Sequence, residues 1–64
     1  MKKKYSLIGL DSNAFMILAY VEKAMKKEKC TPQEIKAYWQ DAESSDYSHL
    51  LFVSQQMIDT LNEK

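Results

Sequence analysis

The chain has 64 residues, 45% of them apolar, and a formal net charge of zero, which allows one domain near the size where burial only just balances chain entropy. The single cysteine, Cys30, excludes a disulfide-stapled scaffold and fits a reducing, cytoplasmic setting. None of the nine basic residues is arginine, so the bidentate grip on phosphate or guanine that nucleic-acid readers favour is missing.

The opening, MKKKYSLIGLD, imitates a signal peptide, but its apolar part breaks at Asp11 without a small-residue cleavage site. Lys2 to Lys4 form a solvated start. Tyr5 to Leu10 is short and apolar with Gly9 near its end. A lone strand there would leave its N–H and C=O groups unpaired, so an extended arm laid across the helices is the expectation, and a strand would need a second copy of the chain.

The first helix is expected over residues 12–29. Ala14, Phe15, Ile17, Leu18, Val21, Ala24 and Met25 repeat at helical spacing and define one apolar stripe, with Glu22, Lys23, Lys26, Lys27 and Lys29 opposite. Asp11 or Ser12 is the expected cap, and the lysines suit the negative end of the helix dipole. Met16, Ala19 and Tyr20 make the run Ala14 to Val21 apolar all round, which predicts cover on more than one side. That run is far shorter than the roughly 20 apolar residues a membrane span requires.

Thr31-Pro32-Gln33-Glu34 is the sharpest local signal. Threonine at the cap, proline at the first helical position and glutamate at the third spell a capping box, so a second helix starts here and is expected over 32–43. Ile35, Tyr38, Trp39 and Ala42 give its buried stripe. Glu43 to Asp46 breaks the pattern and offers caps for a third helix over 46–62. Its stripe is Leu50, Leu51, Ser54, Met57, Ile58 and Leu61, widened by Phe52 and Val53.

Helices of about 18, 12 and 16 residues on short connections predict an all-α, three-helix up-down-up bundle. In that topology helix 1 starts, helix 2 ends and helix 3 starts at one pole. Asp11, Asn13, Asp46, Tyr47 and His49 then form a candidate polar site, open to an acid/base or metal-binding reading. A cap aspartate and a histidine bonded to a neighbouring loop form the simpler alternative, and no cofactor or metal is expected. Cys30 lies at the opposite pole, away from any base that could activate it.

Gly9-Leu10-Asp11-Ser12-Asn13-Ala14-Phe15 resembles the G-x-D-G-N-A-F opening of a group of small bacterial and phage proteins. Ser44-Ser45-Asp46-Tyr47-Ser48-His49-Leu50-Leu51 is similar to that group's S-G-D-Y-D-H-L-L. The resemblance implies a small helical protein and brings no established activity. Ser12 and Ser45 stand where the group has glycine, so a positive φ at either position would be strained.

Residues 1–32 hold seven lysines and three acids, and residues 33–64 two lysines and six acids, giving halves of about +4 and −4. This asymmetry favours docking between parts or copies over attraction to a polyanion. The expected function is a non-enzymatic interaction module, a homodimer or a chain docked on a protein partner, with Met16, Tyr20, Phe52 and Val53 as candidate interface. A nucleic-acid-associated role through Lys2 to Lys4 and the lysines of helix 1 is the alternative. A helix-turn-helix reading is disfavoured because the third helix opens with Asp46 and has no basic residue before Lys64.

Overall fold

The computed structural model describes residues 5–10 and 12–63. Three helices, α1 (Ala14–Lys27), α2 (Pro32–Ala42) and α3 (Tyr47–Asn62), pack in an up-down-up bundle, with α3 in contact with both others. The arrangement is thin, with Cα extents of 30 × 27 × 15 Å. No described helix is long and apolar enough to cross a membrane.

The cap of α1 differs from expectation. Asn13 takes the role, its Oδ1 accepting from the Phe15 N–H at 2.8 Å, while the Ser12 carbonyl is engaged by the Tyr47 hydroxyl. Asp11, the other expected cap, lies outside the described residues, as do Lys2 to Lys4. At its far end α1 stops at Lys27, two residues early. The Cys30 N–H donates to the Met25 carbonyl at 2.9 Å and the Lys29 N–H to the Lys26 carbonyl at 3.1 Å, which is the Schellman pattern of helix termination. Lys29 accordingly has φ 65°, a position where glycine is usual. Ser12 and Ser45 do not share this geometry, because Lys29 is the one described non-glycine residue with positive φ.

At the start of α2 the capping box forms as read. Glu34 N–H donates to Thr31 Oγ1 at 3.1 Å and Thr31 N–H to Glu34 Oε1 at 2.8 Å. Asp46 caps α3 through a 3.0 Å bond from the His49 N–H.

Ile17, Leu18, Val21, Ala24 and Met25 of α1 meet Ile35, Tyr38 and Ala42 of α2 and Leu50, Val53, Ile58 and Leu61 of α3 in one core. Two expectations for the core fail. Phe15 was placed on the buried stripe of α1 and is 67% exposed; Leu51 was placed on that of α3 and also reaches solvent. Each shares its helix row with polar residues, Phe15 with Glu22 and Lys26 at i+7 and i+11, and Leu51 with Gln55 at i+4. Inside the core, the Tyr38 hydroxyl and the fully buried Ser54 Oγ lie 2.6 Å apart, so each satisfies the other.

The arm runs from the pole where α1 and α3 end towards the pole where they begin. Asn62 clasps the Tyr5 backbone, accepting its N–H at 2.9 Å and donating to its carbonyl at 3.0 Å. The Tyr5 hydroxyl donates to Glu28 at 2.7 Å, and the Ser6 N–H to the Tyr20 hydroxyl at 3.0 Å. Tyr5 and Leu7 pack on the core. The chain then turns, the Leu10 N–H reaching the Leu7 carbonyl at 3.3 Å, with Gly9 at φ 87°, a value that suits glycine at the third position of a turn. So the arm is extended only as far as Leu7, and no described residue is in a strand.

Two outcomes follow from these contacts. Replacing Ser54 by Ala or Tyr38 by Phe leaves one buried hydroxyl unpaired and lowers unfolding free energy by about 1–3 kcal/mol. The double variant loses less than the sum, with a coupling of roughly 1 kcal/mol in a denaturant-unfolding cycle. The second concerns Tyr5, whose phenol is pushed up to about 12 by its hydrogen bond to Glu28, by desolvation and by the charge of Glu28 with a contribution from Tyr20. The folded state therefore favours the neutral phenol. The stabilisation is complete below the ordinary phenol value near 10 and is lost as pH rises towards 12. Tyr38 is also raised, mainly by burial and against its bond to Ser54, so the tyrosinate titration of Tyr5→Phe subtracted from that of the parent isolates the Tyr5 step. Glu28→Gln should move that step down.

Candidate functional site

The pole where α1 and α3 begin and α2 ends is the place the sequence singled out, and its polar side chains converge there as capping groups. The Tyr47 hydroxyl donates to the Ser12 carbonyl at 2.5 Å, fixing the start of α3 against the start of α1. Asn13 and Asp46 spend side-chain oxygens on the helices they begin. Asp11 lies outside the described residues and cannot be placed in the cluster.

His49 does not join Asn13 or Tyr47 in a common site. Its imidazole turns to the last turn of α2, with Nε2 2.9 Å from the Asp41 carbonyl oxygen. A carbonyl has no proton to give, so Nε2 carries the hydrogen and donates it. The same carbonyl accepts from the Ser44 Oγ–H at 2.6 Å and the Ser44 N–H at 3.2 Å. The Asp41 carboxylate and the Ser44 hydroxyl each lie 3.3 Å from Nε2. The last turn of α2 has no basic residue of its own, and His49 supplies a donor there from the neighbouring helix. This use of Nε2 removes it as a proton acceptor or metal ligand. Among the described residues no group of three or more His, Cys, Asp or Glu side chains is placed to hold a metal ion.

Other candidates find places in the packing. Tyr38 is buried and Trp39 half-buried against the core, so neither ring is a free stacking platform. Cys30 is a partly buried free thiol that follows the Schellman turn, at the end of the bundle away from His49. In α1, Lys26 pairs with Glu22 at 3.1 Å.

The candidate interface divides. Met16 is 55% and Phe52 59% exposed, so both are available to a partner. Val53 is a correction. It is 8% exposed and belongs to the core, because Leu50, Met57 and Leu61 share its row. Tyr20 is half-buried against the core, and its hydroxyl accepts from the Ser6 N–H of the arm. In exchange the structure adds side chains that sequence reasoning placed elsewhere. Ile8 is 93% exposed, and Phe15, Tyr47 and Leu51 join it.

These exposed large apolar residues share one half of the molecule. Phe15 and Met16 occupy the first turn of α1, and Tyr47, Leu51 and Phe52 the first two turns of α3. Ile8 sits in the arm between the Ser6–Tyr20 and Ser12–Tyr47 contacts, on the way to that pole. The described charges divide as well. Asp41, Glu43 and Asp46 lie at this pole, whereas Lys23, Lys26, Lys27, Lys29 and Lys36 all lie in the opposite half, mixed with Glu22, Glu28, Glu34, Asp59 and Glu63. The pole is therefore apolar and acidic.

In comparisons with known proteins, the chain matches no family model, no curated protein and no solved structure.

Because His49 serves as a capping donor, His49→Ala should lower unfolding free energy by about 0.5–1.5 kcal/mol. The loss should appear first as faster amide exchange at the end of α2. Unchanged stability and exchange would show that the contact with Asp41 contributes nothing.

Proposed function

We propose that this chain is a non-enzymatic interaction module that docks a protein partner or a second copy through the pole where α1 and α3 begin. One observation carries the reading: Ile8, Phe15, Met16, Tyr47, Leu51 and Phe52 are exposed, and all belong to that half of the molecule. Single exposed apolar residues are ordinary on a small domain, but a concentration of them in one region marks interaction surfaces. Aromatic and methionine side chains are also the types enriched at the centres of interfaces.

The polar groups of the pole support the same reading. A catalytic site needs groups free to exchange protons or hold a substrate, and here Asn13, Asp46 and His49 are occupied with helix ends. What the pole offers to an incoming molecule is chiefly apolar surface.

The test separates folding from binding. Replacing Phe15, Met16 and Phe52 by alanine should change stability by no more than about 0.5 kcal/mol per site, because these side chains contribute little to the core. A core control such as Leu61→Ala should lose about 2–5 kcal/mol. The triple variant should also bind an environment-sensitive apolar dye several-fold less, and any concentration-dependent mass seen by light scattering should fall to the 7.5 kDa monomer. A parent chain that stays monomeric at all concentrations, and binds dye no better than the triple variant, would remove the reading.

A further inference from the structure

We infer that the occupant of this pole is a basic amphipathic protein segment, one apolar helix face edged with lysine or arginine. The inference rests on the interaction reading above and adds the chemistry of the partner. Its basis is the combination of apolar side chains and one sign of charge. Phe15, Met16, Leu51 and Phe52 supply anchoring surface, and Asp41, Glu43 and Asp46 lie at the same end, on the last turn of α2 and the α2–α3 connection, with no described lysine among them. All three carboxylate residues are exposed, so their field reaches solvent and can steer an approaching cation.

Charge decides between occupants. Two copies meeting pole to pole would set three carboxylates against three, a like-charge juxtaposition that disfavours the pairing. Phosphate-rich nucleic acid and an anionic lipid surface meet the same repulsion. A lysine-edged helix gains on both counts, since its apolar face covers the exposed rings while its ammonium groups neutralise the carboxylates. Helix-in-groove docking of this kind reads apolar anchors at i, i+3, i+4 and i+7.

The experiment uses the full chain and two labelled synthetic helices with the same leucine face, one carrying lysine and one glutamate on its polar side. Fluorescence anisotropy gives affinity and amide chemical shifts give location. The lysine helix should bind at least about tenfold tighter than the glutamate helix at low salt, and the gap should narrow as salt is added. Shifts should centre on Phe15, Met16, Leu51 and Phe52. Asp41→Asn with Glu43→Gln should weaken the lysine helix several-fold, while Asp59→Asn with Glu63→Gln, the same charge change in the opposite half, should not. Equal binding of both helices overturns the partner chemistry and leaves the interaction reading standing. A mass that doubles through this pole, with neither helix bound, overturns the inference in favour of a second copy. If neither helix binds, the mass stays monomeric and the alanine triple changes nothing, both fall.

Discussion

The demand for cover over α1 governs this molecule. Its buried stripe from Ile17 to Met25 needs neighbours on two sides, and a chain of 64 residues can supply two helices and a short arm. The arm is tied down at the pole where α1 ends, through Asn62 on the Tyr5 backbone and Glu28 on its hydroxyl, and it buries Tyr5 and Leu7 there. After Leu7 the chain turns at Gly9 and Ile8 points to solvent. Cover is therefore plentiful at one end of α1 and short at the other. Phe15 and Met16 stay uncovered by the described residues.

Helix ends shape the polar chemistry. Three helices present six ends, each with unsatisfied backbone groups. Asn13, Thr31 with Glu34, and Asp46 serve the three starts. At the ends, a Schellman turn closes α1, and the carbonyl of Asp41 near the end of α2 takes donors from Ser44 and from His49 of α3. His49 thereby commits its Nε2 to the end of α2. Domain stability at this length is on the order of 3–10 kcal/mol, so contributions of about 1 kcal/mol from each cap matter to whether the chain folds.

Helix positions, the up-down-up order and the capping box were legible because each rests on interactions within a few residues along the chain. The apolar period places α1 and α3, and Thr31-Pro32-Gln33-Glu34 places the start of α2 almost to the residue. What the sequence hid depends on contacts far apart. Asn13 displaces Ser12 as cap once Tyr47, 35 residues away, claims the Ser12 carbonyl. Which apolar residues are buried was only half legible. Helix phase was enough to move Val53 inward, since Leu50, Met57 and Leu61 share its row, and Phe15 and Leu51 outward, since Glu22 and Lys26 share the row of Phe15 and Gln55 that of Leu51. The arm's turn depended on Gly9, which was visible, but its direction depended on Asn62 and Glu28, which were not.

The candidate site illustrates how a constellation and its chemistry can part. Topology did bring Asn13, Asp46, Tyr47 and His49 to one pole, yet proximity there serves to close helix ends, and each hydrogen bond made for that purpose withdraws a group from other chemistry. Phe15, Met16, Leu51 and Phe52, also at that pole, have no side-chain hydrogen bonds to make. Surface of that kind has a free-energy cost in water that a partner can relieve at about 25 cal/mol per Å² of apolar area covered. In general, exposed charges act on encounter and on discrimination while apolar burial supplies affinity. Capping takes up the Asn13 amide oxygen, one Asp46 oxygen and His49 Nε2, and leaves apolar area and the exposed carboxylates facing solvent.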